Sequence, residues 1–199
     1  MSEGDIGLAD QRAPGPDAAS PATDDPCEDP EPPSGPSGPD DPLDLTVVAE
    51  AGDWSTFPDA EGAVRGAAAA LARHPEARGL CGREATVVLG DDALVRSLNK
   101  TYRAKDKPTN VLSFPFSAPA GAPKEAARGL GDVILAAETL QREAADLGIP
   151  PVHHLQHLVV HGLLHLLGHD HLEEAEAQQM EAIETAVLAG LGIADPYAD

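Results

Sequence analysis

The run His161-Gly162-Leu163-Leu164-His165-Leu166-Leu167-Gly168-His169-Asp170-His171 sets three histidines, His161, His165 and His171, at spacings that a helix and a sharp turn convert into one cluster. Residues four apart on a helix stand one above the other on the same face, so the imidazoles of His161 and His165 converge. Leu163, Leu164, Leu166 and Leu167 are good helix formers and supply an inward face. Gly168, three residues after His165, falls where helices end, because glycine adopts positive φ without steric cost. The turn it permits returns His171 toward the same point. Three protein ligands with an open position make a catalytic zinc site, whereas a structural site is closed by four. The spacing therefore predicts one Zn2+ per chain, held by His161, His165 and His171 on a C-terminal helix–turn.

Outward from this run, Pro150 or Pro151 opens the same helix, with Leu155, Leu158, Val159, Gly162, Leu163 and Leu166 facing inward. Residues 172–191 form the last helix, with Met180, Ile183, Val187 and Leu188 as its apolar stripe. Upstream, residues 43–49, 85–90, 111–116 and 131–136 read as strands, and Pro115 favours the third being an edge strand or ending there. Residues 58–73, a short segment capped by Asp91 or Asp92, and residues 138–147 read as helices. The expected fold is α+β with α/β-like alternation: a small mixed four-stranded sheet covered by about five helices.

The 199 residues carry a net charge of −21, which argues against non-specific nucleic-acid binding by the chain as a whole. The charge is unevenly spread. Residues 1–42 hold eleven acids, one base (Arg12) and ten prolines, and read as a disordered acidic extension, which leaves 43–199 as the folded domain. That domain keeps 23 acids and 12 bases, yet five of those bases fall within residues 96–107 against one acid. Cys27 and Cys81 show no pairing pattern, which fits a reducing cytoplasm. Neither a secretory signal nor a membrane span is expected.

Zinc held by neutral imidazoles lowers the pKa of its bound water to about 7 and polarises a carbonyl or phosphoryl oxygen. Two hydrolytic readings follow. The first is a metzincin-like metalloprotease, whose HExxHxxGxxH spacing the run matches. There the residue after the first His is a glutamate base, but here it is Gly162, and no Met-turn is evident because Met180 reads as a helix core residue. The second is an RNA phosphodiesterase, in which Arg103 is the candidate for gripping phosphate oxygens bidentately.

Three stretches in order bear on the choice: Leu98-Asn99-Lys100-Thr101-Tyr102-Arg103-Ala104-Lys105-Asp106-Lys107-Pro108-Thr109-Asn110-Val111-Leu112-Ser113-Phe114-Pro115, then Gly131-Asp132-Val133-Ile134, then the histidine run. Together they resemble the YbeY family of bacterial endoribonucleases and rRNA maturation factors, over roughly residues 43–197. The resemblance implies a zinc-dependent, single-strand-specific endoribonuclease that matures the 3′ end of small-subunit rRNA and serves ribosome quality control. It implies His161, His165 and His171 as metal ligands and Arg103 as the functional arginine. The expected partners are single-stranded rRNA precursor and the small ribosomal subunit, with an assembly GTPase or a ribosomal protein, and neither membrane nor DNA. Residues 1–42 inherit no role. A third reading is a non-catalytic ribosome-assembly factor with a structural zinc, closed by His169 or His157.

In the expected mechanism the zinc-bound water, or the RNA's own 2′-OH, attacks the phosphate while Arg103 holds it. Lys100, Lys105 and Lys107 attract the strand. Asp170 and His157 are candidates for holding ligand imidazoles from behind, with Asp132 a weaker one from a strand end. Ser113 has no basic partner that marks it as a nucleophile. His74, His153 and His154 read as solvent-facing, and Glu173, Glu174 and Glu176 as a solvated first helical turn.

Overall fold

The computed structural model describes residues 43–118, 121, 128–169 and 173–198. The expectation of a disordered extension over 1–42 lies outside these residues. Strands β1 (Asp44–Ala49), β2 (Glu84–Gly90), β3 (Val111–Pro115) and β4 (Gly129–Ala136) form one sheet in the order β1-β2-β4-β3. β1, β2 and β4 run parallel, and β3 pairs antiparallel with β4, so the sheet is mixed. Pro115 does end an edge strand, consistent with its missing N–H. The helices are α1 (Ala60–Ala72), α2 (Asp92–Arg103), α3 (Ala137–Leu147), α4 (Pro151–Leu166) and α5 (Glu174–Gly190), with a short 3-10 turn at Pro75–Leu80.

Alternation along the strands splits the core in two. One sheet face carries Leu45, Val87, Leu89, Val133 and Leu135, and is covered by α1 and α4, on which α5 lies in turn. The other carries Leu112, Ile134 and Ala136, and packs against Val95 and Leu98 of α2. α4 lies in the middle of the larger layer, against α1, α3, α5, β3 and β4. This central place explains why Leu155, Val159, Val160, Leu163 and Leu164 are all fully buried around its circumference.

Gly162 lets α4 come this close. A Cβ at that position would stand 2.6 Å from Val133 Cγ1 and 3.3 Å from Ser113 Oγ. The helix then stops as the sequence predicts: Gly168 takes φ 95°, and the His169 N–H returns to the Leu164 carbonyl at 3.1 Å.

The basic stretch is fixed by one buried amide. Asn99, 3% exposed, donates from its side-chain Nδ2 to the Lys107 carbonyl at 2.7 Å, and its backbone carbonyl accepts from Lys105 N at 3.2 Å. Asn99→Ala is expected to lower stability by about 1–3 kcal/mol, since it strands the Lys107 carbonyl and loosens the loop after α2. Urea unfolding measures this, and an unchanged midpoint would refute it.

Two local expectations fail. Cys81 is disulfide-bonded, and no cysteine among the described residues is free; Cys27 lies outside the described residues. His154 is 6% exposed and faces inward, because α3 offers it a carboxylate: its Nε2 lies 2.8 Å from Glu143 Oε2.

Candidate metal centre

His161 and His165 project from the last two turns of α4, and their Nε2 atoms stand 3.1 Å apart. Each ring is held from behind. His161 Nδ1 donates to Glu184 Oε1 at 2.9 Å, and His165 Nδ1 donates to the His169 carbonyl at 2.9 Å. Both partners are acceptors, so they assign the Nδ1–H tautomer to both rings and turn the two Nε2 lone pairs toward each other. Two lone pairs at that separation repel unless a proton or a cation lies between them. Imidazole nitrogens bound at about 2.0–2.1 Å to one tetrahedral zinc stand about 3.3 Å apart, close to the observed spacing. The donor set, with each ring's far nitrogen hydrogen-bonded, therefore fits an imidazole-loving divalent ion. His171 and Asp170 lie outside the described residues.

Glu184 is a residue that sequence reasoning missed. It lies in α5, is fully buried, and accepts from His161, from His157 Nε2 at 3.0 Å and from the Tyr197 hydroxyl. Burial pushes its carboxyl up, but the hydrogen bonds from His157, His161 and Tyr197 outweigh that and hold it at about 2. It is ionised at neutral pH. The available signal was its register: Glu184 falls midway between Met180 and Leu188, four residues from each, inside the apolar stripe. His157 reaches the cluster through this carboxylate, and the Tyr197 hydroxyl lies 3.3 Å from His157 Nε2.

Arg103 closes α2 and is exposed; its Nη2 reaches the Ser113 carbonyl at 3.5 Å. Ser113 in turn donates from Oγ to the Gly162 carbonyl at 3.2 Å, beside His161. β3 thus links the arginine to the histidine helix. Lys100 is tied to Asp106 at 3.0 Å, and Arg96 binds the same carboxylate at 2.7 Å. Hydrogen bonds from Arg96 and then Lys100 hold the Asp106 carboxyl down at about 2. Lys105 and Lys107 remain exposed on the loop.

Asp132 departs from its expected place. Val133 faces Gly162, so its neighbour Asp132 projects from the opposite sheet face, where it lines a cavity of about 420 Å³ with Thr46, Thr86 and Phe114. It does not hold a histidine. Glu173, Glu174 and Glu176 form the exposed start of α5, as expected. Position 162 faces the sheet and has no room for the glutamate base of a metzincin. No described helix is long and apolar enough to cross a membrane.

Comparison with known proteins gives a coherent picture. The family model described as Endoribonuclease YbeY matches residues 58–192. The Endoribonuclease YbeY of Parvibaculum lavamentivorans is 52% identical over 164 residues, covering 78% of this chain and 85% of the relative. That of Azorhizobium caulinodans is 50% identical over 162 residues, covering 78% and 97%. A solution structure of a Thermotoga maritima protein is similar at a TM-score of 0.46 and 17% identity, over 78% of this chain and 99% of that one.

Proposed function

The chain belongs to the YbeY family of endoribonucleases, and from that premise we propose that it is a zinc-dependent, single-strand-specific enzyme that matures the 3′ end of small-subunit rRNA in the cytoplasm. The observation that carries the zinc reading is the facing Nε2 pair of His161 and His165, each ring fixed through Nδ1. His171, beyond the Gly168 turn, is the third ligand in this proposal. A bound zinc supplies Lewis-acid polarisation of the phosphate and lowers the pKa of water. Glu184 and the His169 carbonyl orient the imidazoles. Arg103 grips the phosphate oxygens from the β3 edge, and Lys105 and Lys107 draw in the strand while Lys100 remains shared with Asp106. The RNA partner belongs to the small ribosomal subunit, with a ribosomal protein or an assembly GTPase as further partner.

The test is cleavage of a labelled single-stranded RNA spanning the 3′ end of small-subunit rRNA, with and without a chelator. Wild type is expected to cut and the chelated sample to stop. Arg103→Ala is expected to lose about 100-fold or more in rate, the scale of removing one charge-stabilising donor, while zinc uptake stays unchanged. Equal cutting by all samples would sink the proposal. Zinc and subunit binding without any cutting would favour a non-catalytic assembly factor.

A further inference from the structure

The end of the chain closes on the back of the histidine pair. Glu184 is fully buried, and a carboxylate at that depth persists only where its oxygens are filled. His161 Nδ1 fills Oε1, while His157 Nε2 and the Tyr197 hydroxyl both reach Oε2. Two donors come from α4, one turn apart, and the third from the segment after α5. That segment is itself fastened. Ile193 N donates to the Leu188 carbonyl at 2.9 Å, and its side chain enters the core. Asp195 Oδ1 accepts from Thr185 Oγ1 at 3.1 Å and from Tyr197 N at 2.9 Å. The Tyr197 ring then stands edge-on to His157, with centroids 5.8 Å apart.

We propose that Glu184 and Tyr197 are positioning residues for the metal ligand His161, with the C-terminal hook 193–197 as the brace that holds the carboxylate in place. The inference rests on the reading of His161 and His165 as metal ligands. An imidazole has two neutral tautomers, and only the Nδ1–H form turns the His161 Nε2 lone pair toward His165. Glu184 Oε1 selects that form. The carboxylate can rotate about its last bond, and the donors on Oε2 stop it. For His165 the backbone carbonyl of His169 does the same work and needs no brace. Of the two rings, His161 is therefore the one whose orientation depends on a distant part of the chain.

The test uses the full chain with Zn2+ alone as probe, titrated against a chromophoric chelator, and 15N spectra of the histidine rings in metal-free protein. Wild type is expected to show His161 as the Nδ1–H tautomer. Tyr197→Phe is expected to weaken zinc binding about 10-fold and to mix the tautomers, with metal-free melting little changed. Glu184→Ala is expected to weaken binding about 10–100-fold, the range for residues that orient a ligand from behind. Glu184→Gln, which keeps an accepting oxygen, should fall between wild type and alanine. Should Glu184→Ala fail to fold, Tyr197→Phe and Glu184→Gln decide. An unchanged tautomer and affinity in those two variants would overturn the inference and leave the zinc reading standing. Failure of wild type to take up zinc would overturn both.

Discussion

His165→Ala is expected to abolish RNA cleavage, by more than about 100-fold, and to erase the zinc-dependent rise in melting temperature while leaving the metal-free protein as stable as before. The size follows from the loss of a ligand, which exceeds the 10–100-fold effect of removing a group that only orients one. The indifference of the metal-free fold follows from position. His165 is partly exposed at the end of α4 and stands outside the apolar core, so removing it opens no cavity there. Ligand binding to the folded state adds stability by mass action, and without the site that increment vanishes. Scanning calorimetry with and without zinc, beside a cleavage assay, separates the two effects. A variant that still cuts and is still stabilised by zinc would remove His165 from the site.

Gly162→Glu is expected to destabilise the protein by upwards of about 3 kcal/mol, and not to create a peptidase. Position 162 follows the first histidine, where a zinc protease would carry its base. In this fold it points at the sheet: a Cβ alone would meet Val133 Cγ1 at 2.6 Å and Val133 Cγ2 at 3.1 Å. Overpacking of a close helix–sheet contact costs about 1–3 kcal/mol, and an unpaired carboxylate placed there adds its desolvation. Gly162→Ala isolates the first term and should cost about 1–3 kcal/mol by urea unfolding. Native-like stability of the glutamate variant would show that α4 can lift from β3 and β4, contrary to the packing described.

The features legible in the sequence were those that local geometry decides. Four-residue spacing brought His161 and His165 together, and a glycine three residues later marked where α4 ends. Pro115 announced an edge strand because it lacks a donor. Side chains whose meaning depends on a distant element were not legible. Glu184 sits in an acidic helix where a glutamate reads as solvated, and only its placement midway between Met180 and Leu188 hinted at burial. Tyr197 acquires a role because the chain end folds back over α5. His154 turns inward because Glu143 waits on α3. Asp132 changes sides because strand alternation is fixed by Val133 against α4, a tertiary contact. The charge count of the basic stretch was correct, but Asp106 claims two of its five cations.

The position of β4 between β2 and β3 has a consequence for synthesis. The two strands it joins are made first, so the growing chain carries β2 with one side of its backbone unpaired until residue 129 onward emerges. Insertion of β4 satisfies both neighbours in one event and creates the surface on which α4 lands. Pairings of this range are slow to form, and unpaired strands invite association with other chains. The vulnerable interval is thus the translation of the segment from β2 to β4. Synonymous codon changes that slow it are expected to raise aggregation of the nascent protein, read as the insoluble fraction at equal expression.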